Sequence, residues 1–358
     1  MSLMDKLKGA TGSVTLSDSP YFGNVDTIQT GIPIIDVAFS GDIDGGLVPG
    51  LSILAGESKS FKTMLGLRCM AAYLRKYPDA IAIAYDNEFS LKPDYLASMG
   101  IDPSRVIHEP IEHIEQLKFK MVKHLEAIKR GEKVFMLVDS IGSLGSKKEI
   151  IDAIEEKSVA DMTRAKALRS WLRICTAKFT MLDIPCVVIA HVYSSLDLFS
   201  KTIVSGGSAP IYFSNQLFII TKAQDATGQG ASKVLHGFIF TINIEKSRFV
   251  REKSKMKFDV SWESGINKWS GLLDLAVESG DVIKPKNGRY SLVDPSTGEI
   301  LIDSVTEAKT ESDDFLGVVI RRPGFKQFIR ERFKLINPTD NTDQVPDEIK
   351  DLFDENDN

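Results

Sequence analysis

Short apolar runs alternate along this chain with longer stretches in which apolar residues recur every three or four positions. Four of these runs predict buried strands, and helix-length segments separate them: 51–55, 81–85, 134–138 and 185–190. Two further runs, 216–221 and 238–244, flank a glycine-containing segment and predict an antiparallel pair. Because parallel neighbours require a long crossover between strands, this order predicts an α/β fold, with a mostly parallel twisted sheet and helices on both faces.

Two stretches carry apolar stripes at helical spacing, and both stripes are expected to face the core. The first stripe comprises Ile111, Ile114, Leu117, Met121, Leu125 and Ile128. The second, in a helix predicted at about 158–181, comprises Met162, Ala165, Leu168, Leu172, Cys175 and Phe179. Beyond position 268 the alternation gives way to a short helix, turn-rich segments and a last helix around 323–335. The chain is therefore predicted to have a core at 30–267 and a small C-terminal domain at 268–339.

Charge is distributed unevenly along the 358 residues. The whole chain has a net charge of −5, whereas the tail at 340–358 contains eight acidic residues and one lysine. Subtracting the −7 of this tail leaves the body at +2. Such a tail is typical of a solvated, disordered segment, and it could either improve solubility or compete with nucleic acid for a basic groove.

Neither a membrane span nor a metal motif is evident in the sequence. No apolar run approaches the roughly 20 residues that a spanning helix needs, and the first ten residues lack the apolar stretch of a secretory signal. We therefore expect a cytoplasmic location. Cys69, Cys175 and Cys186 lack the close spacing of metal or redox sites and are expected to be buried and reduced.

The strand at 51–55 runs into the octamer GESKSFKT and then into a helical segment, which is the context of a phosphate-binding loop. The backbone N–H groups of such a loop and the helix N-terminus form a site for phosphate oxygens. Lys62 is expected to reach the β- and γ-phosphates of ATP, and Thr63 to bind Mg²⁺. The loop residues predicted to bind ATP are Gly56, Glu57, Ser58, Lys59, Ser60, Phe61, Lys62 and Thr63.

Phe61 departs from the usual motif, which has glycine at this position because glycine eases a tight turn. A chance Lys-Thr pair after a strand is therefore an alternative. Acidic residues at the ends of other apolar strands favour the interpretation of the octamer as a nucleotide site. Asp139 follows one such strand, and Asp86 and Glu88 follow another. A carboxylate at 139 suits Mg²⁺, and one at 88 suits the activation of an attacking water.

Over about 30–286 the residues resemble the RecA family, and within it the UvsX-type recombinases of T-even phages. The lead-in TGIPIIDVAFSGDIDGGLVPG is similar to that of the family, and UvsX-type proteins also have phenylalanine before the loop lysine. The resemblance implies a RecA-like P-loop ATPase core in which Lys62, Thr63 and Asp139 hold ATP and Mg²⁺. It also implies that Glu88 is the catalytic glutamate and that Tyr95 stacks on adenine. Core packing is the alternative for Tyr95.

Further roles follow from the same resemblance. His191, at the end of a strand, stands where RecA has a glutamine that senses the γ-phosphate. Lys246 and Arg248 are implied to reach the ATP of a neighbouring subunit, with a solvated strand and turn as the alternative. The segment 1–29, which includes Tyr21 and Phe22, corresponds to the arm with which family members pack on the adjacent subunit.

Two segments, 147–166 and 192–207, resemble the DNA-binding loops of the family. A basic residue of the first could contact phosphate, and an apolar residue of the second could wedge between bases. Unspecialised surface loops are the alternative. The predicted DNA-binding residues are Arg164, Phe199, Lys201, Ile203, Gly206 and Gly207.

The resemblance implies an ATP-dependent recombinase that forms a helical filament on single-stranded DNA and exchanges strands in recombination, repair and replication. The implied cofactors are ATP and Mg²⁺. The implied partners are single- and double-stranded DNA, further copies of the chain, a recombination mediator and a single-strand DNA-binding protein. Two alternatives stay open: a hexameric helicase or motor with the same core, and a mediator without catalysis. The joint presence of Lys62, Glu88 and Asp139 favours an enzyme.

Overall fold

The computed structural model describes residues 2–21, 26–156, 162–194, 202–227 and 234–335. The helices in these ranges are α1 (Leu3–Thr11), α2 (Pro33–Ser40), α3 (Lys62–Lys76), α4 (Pro93–Ser98), α5 (Ile114–Ala127), α6 (Lys147–Ile154), α7 (Thr163–Met181), α8 (Ala209–Phe213), α9 (Leu272–Glu278), α10 (Glu307–Thr310), α11 (Leu316–Arg321) and α12 (Pro323–Phe333). The strands are β1 (Gly50–Gly56), β2 (Ile81–Asp86), β3 (Val106–Pro110), β4 (Val134–Asp139), β5 (Pro185–Ser194), β6 (Thr202–Val204), β7 (Gln216–Thr227), β8 (Val234–Ser247), β9 (Lys255–Ser261), β10 (Gly265–Ile266), β11 (Val282–Lys286), β12 (Arg289–Val293) and β13 (Ile300–Val305).

One large sheet organises the chain, with the strand order β10-β9-β8-β7-β1-β5-β4-β2-β3 and β6 paired to β5. From β7 to β3 every pairing is parallel, whereas β8, β9 and β10 continue from β7 in antiparallel fashion. All six predicted strands lie in this sheet, and the predicted α/β fold is confirmed. The sequence pattern does not indicate β3, because this edge strand leaves most of its side chains exposed and therefore has no apolar run.

Alternate residues of the parallel strands face two hydrophobic cores, one on each side of the sheet. In β4, Phe135 and Leu137 face the core that contains α3, whereas Met136 and Val138 face the core that contains α5 and α7. All four side chains are fully buried, which explains why the sequence of this strand is continuously apolar. The carboxyl ends of the parallel strands therefore meet at one edge of a rigid, doubly covered sheet.

Both predicted helical stripes face the core, with corrections at their ends. The helix α5 starts after its capping residue His113, so Ile111 lies in the preceding loop. The helix α7 starts directly after Met162, whose side chain is 72% exposed. The prediction that Met162 and Ala165 face the core is therefore wrong, because the buried residues of α7 begin only at Leu168.

The C-terminal region contains α9, a separate antiparallel sheet of order β11-β12-β13, and the helices α10 to α12. Its buried side chains, including Leu272 and Phe325, belong to the same hydrophobic core as α2 and α3. An ion pair of 2.7 Å between Arg330 Nε and Asp42 Oδ2 joins α12 to the loop after α2. The described part of this region thus shares a core with the large sheet, and a domain boundary at 268 stays a prediction.

The helix α1 is well capped but buries no side chain. Ser2 and Asp5 form a reciprocal capping box at its start, and Gly12, with a φ of 70°, closes its end. Its apolar residues Leu3 and Leu7 are 73% and 60% exposed. Local capping, rather than packing, therefore supports this helix in the single chain. Among the described residues, no helix combines the length and the apolarity needed to cross a bilayer.

Candidate nucleotide-binding site

The phosphate-binding loop connects the end of β1 to the start of α3. Gly56 ends the strand, where a Cβ atom would lie only 2.5 Å from the carbonyl oxygen of Ile220, so glycine is required. Lys59 and Phe61 have φ angles of 60° and 69°, in the left-handed region. They turn the chain into α3, whose first residue is Lys62. The unpaired N–H groups of the first turn of α3 provide donors for a phosphate.

Phe61 adopts a backbone conformation for which glycine is the usual choice, and a side chain there costs about 1 kcal/mol. Its ring packs against Phe240 of β8 and Phe258 of β9, with centroid separations of 5.0 and 5.7 Å. Aromatic pairs contribute about 0.5–1.5 kcal/mol each beyond the area that they bury, so this packing offsets the strain. The phenylalanine therefore anchors the loop to the antiparallel half of the sheet and does not argue against a phosphate site.

Lys62 is almost fully buried at the N-terminus of α3. Its Nζ donates hydrogen bonds to the carbonyl oxygen of Glu57 at 2.5 Å and to Oγ of Ser60 at 3.3 Å. Burial lowers the pKa of Lys62, and the charges of Glu88 and Asp139 partly oppose that effect. The loop and two acidic strand ends thus surround this ammonium group.

Asp139 ends β4 and is completely buried. Its Oδ2 accepts a hydrogen bond of 2.9 Å from the hydroxyl of Thr63, whereas its Oδ1 has no hydrogen-bond partner among the described atoms. Burial and then the charge of Glu88 raise the pKa of Asp139 to about 6, and the bond from Thr63 acts in the opposite direction. A buried carboxylate oxygen without a partner is costly, and a cation at this point would relieve that cost.

Thr63 and Asp139 fit Mg²⁺ by the chemistry of their donor atoms. Mg²⁺ prefers oxygen ligands and is commonly held by one or two protein groups together with substrate phosphates. In the part of the chain that the structure describes, no group of three or more His, Cys, Asp or Glu residues could hold a metal ion. The arrangement therefore suits Mg²⁺ that arrives with a nucleotide better than a metal site formed by protein alone.

Glu88 and His191 complete the pocket from neighbouring strand ends. The Oε1 atom of Glu88, in the turn after β2, accepts a hydrogen bond of 2.7 Å from the hydroxyl of Ser140. His191 Nε2, on β5, lies 3.4 Å from the same Oε1. Together with the phosphate loop and Asp139, these side chains line an open pocket of about 510 Å³. The structure thus brings the predicted loop, metal-binding carboxylate, catalytic carboxylate and sensor into one site.

Tyr95 lies beside this pocket, in α4. Its hydroxyl group contacts the sulfur of Met64, the residue that follows Thr63 in α3, and its ring is partly exposed. Met64 itself lines the pocket. The ring therefore stands next to the phosphate loop, and its stacking on adenine stays a prediction.

Lys246 and Arg248 lie away from the phosphate loop of their own chain. Lys246 pairs with Leu217, which pairs with Ile53 in the middle of β1, whereas the loop begins where β1 ends. Arg248 follows the last residue of β8, still farther from the loop, and is exposed. The Nζ of Lys246 donates to two carbonyl oxygens at the end of α8, at 2.6 and 3.1 Å. The structure does not bring these cations into the pocket of the same chain.

The residues predicted to contact DNA occupy varied positions. Arg164 donates hydrogen bonds of 2.7–3.2 Å to three backbone carbonyls within 141–144. Ile203 pairs with β5 in an antiparallel hairpin, and Gly206 and Gly207, with φ angles of 103° and 70°, turn the chain towards α8. The DNA contacts of these residues stay predictions. Outside the described residues lie Phe22, Phe199 and Lys201.

Sequence reasoning missed two polar residues of the site. Ser140 donates to Glu88, and Asn87 accepts a hydrogen bond of 2.6 Å from the backbone N–H of Ser140 through its Oδ1. Each residue adjoins a predicted acidic residue, and that adjacency is the only signal in the sequence. Polar residues are common in turns after strands, so the signal does not stand out.

Comparisons with known proteins cover both parts of the chain. The family model of the RecA N-terminal domain matches residues 1–267, and that of the C-terminal domain of the bacteriophage T4 recombination and repair protein matches residues 269–329. The recombination and repair protein of Enterobacteria phage T4 is 44% identical over 353 residues, which are 97% of this chain and 89% of that protein.

More distant relatives are bacterial. Protein RecA of Borreliella afzelii (strain PKo) is 24% identical over 347 residues, covering 94% of this chain and 91% of the relative. Protein RecA of Clostridioides difficile (strain 630) is 25% identical over 292 residues, 80% of each chain. Because one family model spans most of the chain and the residues of the pocket follow the pattern expected for that family, this chain belongs to the RecA family.

Proposed function

We propose that the protein is an ATP-dependent recombinase. It assembles on single-stranded DNA in the host cytoplasm and exchanges strands with a homologous duplex during recombination, repair and replication. The observation that carries this proposal is the 44% identity to the phage T4 recombination and repair protein across 97% of the chain. The pocket that contains the phosphate loop, Glu88 and Asp139 supports the ATPase part.

In this proposal, ATP lies with its β- and γ-phosphates on the loop N–H groups and on the ammonium group of Lys62. Thr63 and Asp139 would hold Mg²⁺, which when bound neutralises phosphate charge. Glu88 orients the attacking water and accepts its proton. His191, in contact with Glu88, registers whether the γ-phosphate is present. Tyr95 stacks on the adenine.

The neighbouring copy completes the site. Lys246 and Arg248 act on the ATP of the adjacent protomer, where they neutralise the charge that develops on the transferred phosphoryl group. Their distance from their own phosphate loop supports this role. Lys246 must leave the carbonyls at the end of α8 to reach a neighbour. The segment 1–29, with the exposed Leu3 and Leu7 of α1, packs on the adjacent protomer of a right-handed filament.

DNA binding in this proposal is largely independent of sequence, because it rests on backbone charge and base stacking. The two loops at 147–166 and 192–207 face the DNA, and a recombination mediator and a single-strand DNA-binding protein are further partners. The contact residues are Arg164, Phe199, Lys201, Ile203, Gly206 and Gly207.

ATP hydrolysis with and without single-stranded DNA, followed by strand exchange between circular single strands and linear duplex, tests the proposal. We expect hydrolysis that DNA stimulates and exchange that requires ATP. Stimulated hydrolysis without exchange, with closed rings in electron micrographs, would instead identify a hexameric motor. A chain that binds DNA but never hydrolyses ATP would be a mediator.

A further inference from the structure

The buried carboxylate of Asp86 holds the turn that carries Glu88 through hydrogen bonds to its backbone. Asp86 is the last residue of β2 and has only 1% of its surface exposed. Its Oδ1 accepts hydrogen bonds from the backbone N–H groups of Glu88 and Phe89, at 2.9 and 2.8 Å. Phe89 has a φ of 53°, a backbone conformation that residues other than glycine rarely adopt. The two bonds therefore hold a turn that would not otherwise be favoured.

The second oxygen of Asp86 faces a histidine from the edge strand of the sheet. His108 lies on β3, and its Nε2 is 3.3 Å from Asp86 Oδ2. The ring of Phe89 meets the imidazole edge-on, with centroids 6.4 Å apart. The histidine side chain is nearly half exposed, so it can be replaced without opening the core. Asp86 thus connects β3 to the turn that carries Glu88.

The other flank of the turn is attached to the end of β4. The backbone N–H of Asn87 donates to the carbonyl oxygen of Asp139 at 3.0 Å, and its side-chain Nδ2 donates to the hydroxyl of Ser143 at 3.0 Å. Its Oδ1 accepts from the N–H of Ser140. The backbone at Glu88 is therefore held on one side by Asp86 and on the other by the end of β4, and the direction of the Glu88 carboxylate depends on both attachments.

Asp86 is a third carboxylate close to Glu88 and Asp139, and its repulsion of Asp139 is electrostatically unfavourable. Asp86 pairs directly with Asp139 in the sheet register. Besides burial and the charge of Glu88, the charge of Asp86 raises the pKa of Asp139. A buried acid that repels the metal-binding carboxylate needs a compensating interaction, and the hydrogen bonds to the turn and the contact with His108 supply it.

We propose that Asp86 is a positioning residue for Glu88, with His108 orienting its second oxygen. This inference rests on the proposed ATPase function. The hydrogen bonds of Asp86 go to the turn and to His108, not to the phosphate loop, so Asp86 acts on the backbone that carries the base. A displacement of about 1 Å at a reacting group can lower turnover about 100-fold, so the hold on the turn has catalytic consequences.

Two substitutions at position 86 separate geometry from charge. Asp86→Ala removes the acceptor, and we expect kcat for DNA-stimulated ATP hydrolysis to fall about 100-fold while the affinity for a non-hydrolysable ATP analogue stays within about threefold. Asp86→Asn keeps an oxygen acceptor for both N–H groups and should recover most of that loss. An equal loss in both variants, or unchanged kcat in Asp86→Ala, would overturn the inference.

Position 108 offers a test that does not depend on a core substitution. His108→Leu removes the partner of Oδ2, and we expect kcat to fall about fivefold, because a hydrogen bond to a charged group is lost. His108→Gln, which can still donate to Oδ2, should restore most of the activity. If His108→Leu retains wild-type kcat, or if His108→Gln is as slow as His108→Leu, the assignment of His108 is wrong.

A double-mutant cycle with Glu88→Gln asks whether Asp86 acts through Glu88. Single-turnover hydrolysis is measured for the wild type, for both single variants and for the double variant. We expect Asp86→Ala to cause almost no further loss once Glu88 is replaced. A full additional loss would mean a general structural role and would overturn the inference. Wild-type protein without ATPase activity would instead refute the proposed function, which keeps the two failures distinct.

Discussion

The nucleotide pocket and the surfaces proposed to contact a neighbouring copy are built in different ways. In the pocket, Lys62 and Asp139 are buried, and the partners that fix them come from the same chain. On the outer surfaces, Arg248 is exposed and α1 buries no side chain at all. The fold of a single chain therefore organises one half of the proposed active site, whereas the cations of the other half lie away from the pocket of that chain.

The difference shows which properties a single protomer should already have. Nucleotide binding depends on the loop and on the strand ends, so it should survive without assembly. In the proposed site, efficient hydrolysis also depends on Lys246 and Arg248, which the single chain holds away from its own phosphate loop, so it should appear only with assembly. Substitutions in the two regions should accordingly change different measurements. Substitutions at four positions test the comparison, in order of decreasing effect.

Lys62→Ala should have the largest effect, because it removes the buried ammonium group from the phosphate loop. We expect DNA-stimulated ATP turnover to fall about 1,000-fold, measured as phosphate release. Arg75→Ala, at the exposed end of the same helix, is the matched control and should turn over ATP at nearly the wild-type rate. Wild-type turnover in Lys62→Ala would contradict the assignment of the pocket.

Asp139→Asn should lower turnover and raise stability at the same time. Turnover should fall about 100-fold, because the proposed ligand for Mg²⁺ loses its charge. Without nucleotide, the free energy of unfolding at pH 7 should rise by about 3 kcal/mol, because a buried carboxylate with a pKa raised to about 6 no longer has to ionise.

The pH dependence of the stability of this variant tests whether the ionisation of Asp139 causes the difference. Because the folded state of the wild type holds the proton of Asp139 more tightly than the unfolded state does, stability is lost as the pH rises from about 4 to about 6. The difference between the two proteins in urea denaturation should therefore be small at pH 4 and full at pH 7. A variant less stable than the wild type at pH 7 would refute this account.

A pair of substitutions at Phe61 separates backbone strain from packing. Phe61→Ala keeps a side chain in the left-handed conformation and loses the contacts with Phe240 and Phe258, so stability should fall by about 2 kcal/mol. Phe61→Gly loses the same contacts but relieves the strain, and should be about 1 kcal/mol more stable than Phe61→Ala. Thermal unfolding of both variants measures the difference. Equal stabilities would mean that the loop stores no strain.

Leu7→Asp should have the smallest effect on the single chain. The side chain is exposed, so the free energy of unfolding should change by less than about 0.5 kcal/mol. Filament assembly on single-stranded DNA, followed by light scattering, should nevertheless be lost. Lys6→Ala, on the same helix, is the control that should assemble. Normal assembly of Leu7→Asp would remove α1 from the proposed interface.

Much of the pocket is predictable because its signals are local. Glu88 lies just after one apolar strand and Asp139 ends another, and strands buried on both faces are easily recognised in the sequence as continuous apolar runs. The octamer that contains Lys62 joins a third buried strand, β1, to the helix α3, so its position in the fold follows directly. The strand order adds what the sequence lacks, since it places these strand ends side by side.

The remaining features depend on contacts between distant parts of the chain. The reason for Phe61 lies in aromatic rings almost 200 positions later. The edge strand that carries His108 has no apolar run, and the internal hydrogen bonds of Arg164 cannot be inferred from its neighbours. Local patterns give elements and strand ends, but they do not give the partners of a side chain.

A mixing experiment tests most directly whether two chains share each ATP site. Lys62→Ala and the double variant Lys246→Ala/Arg248→Ala should each be inactive in DNA-stimulated hydrolysis. In an equimolar mixture, about one interface in four joins an intact loop to intact cations, so about a quarter of the wild-type rate should return. A mixture no more active than the two variants measured separately would contradict the shared site.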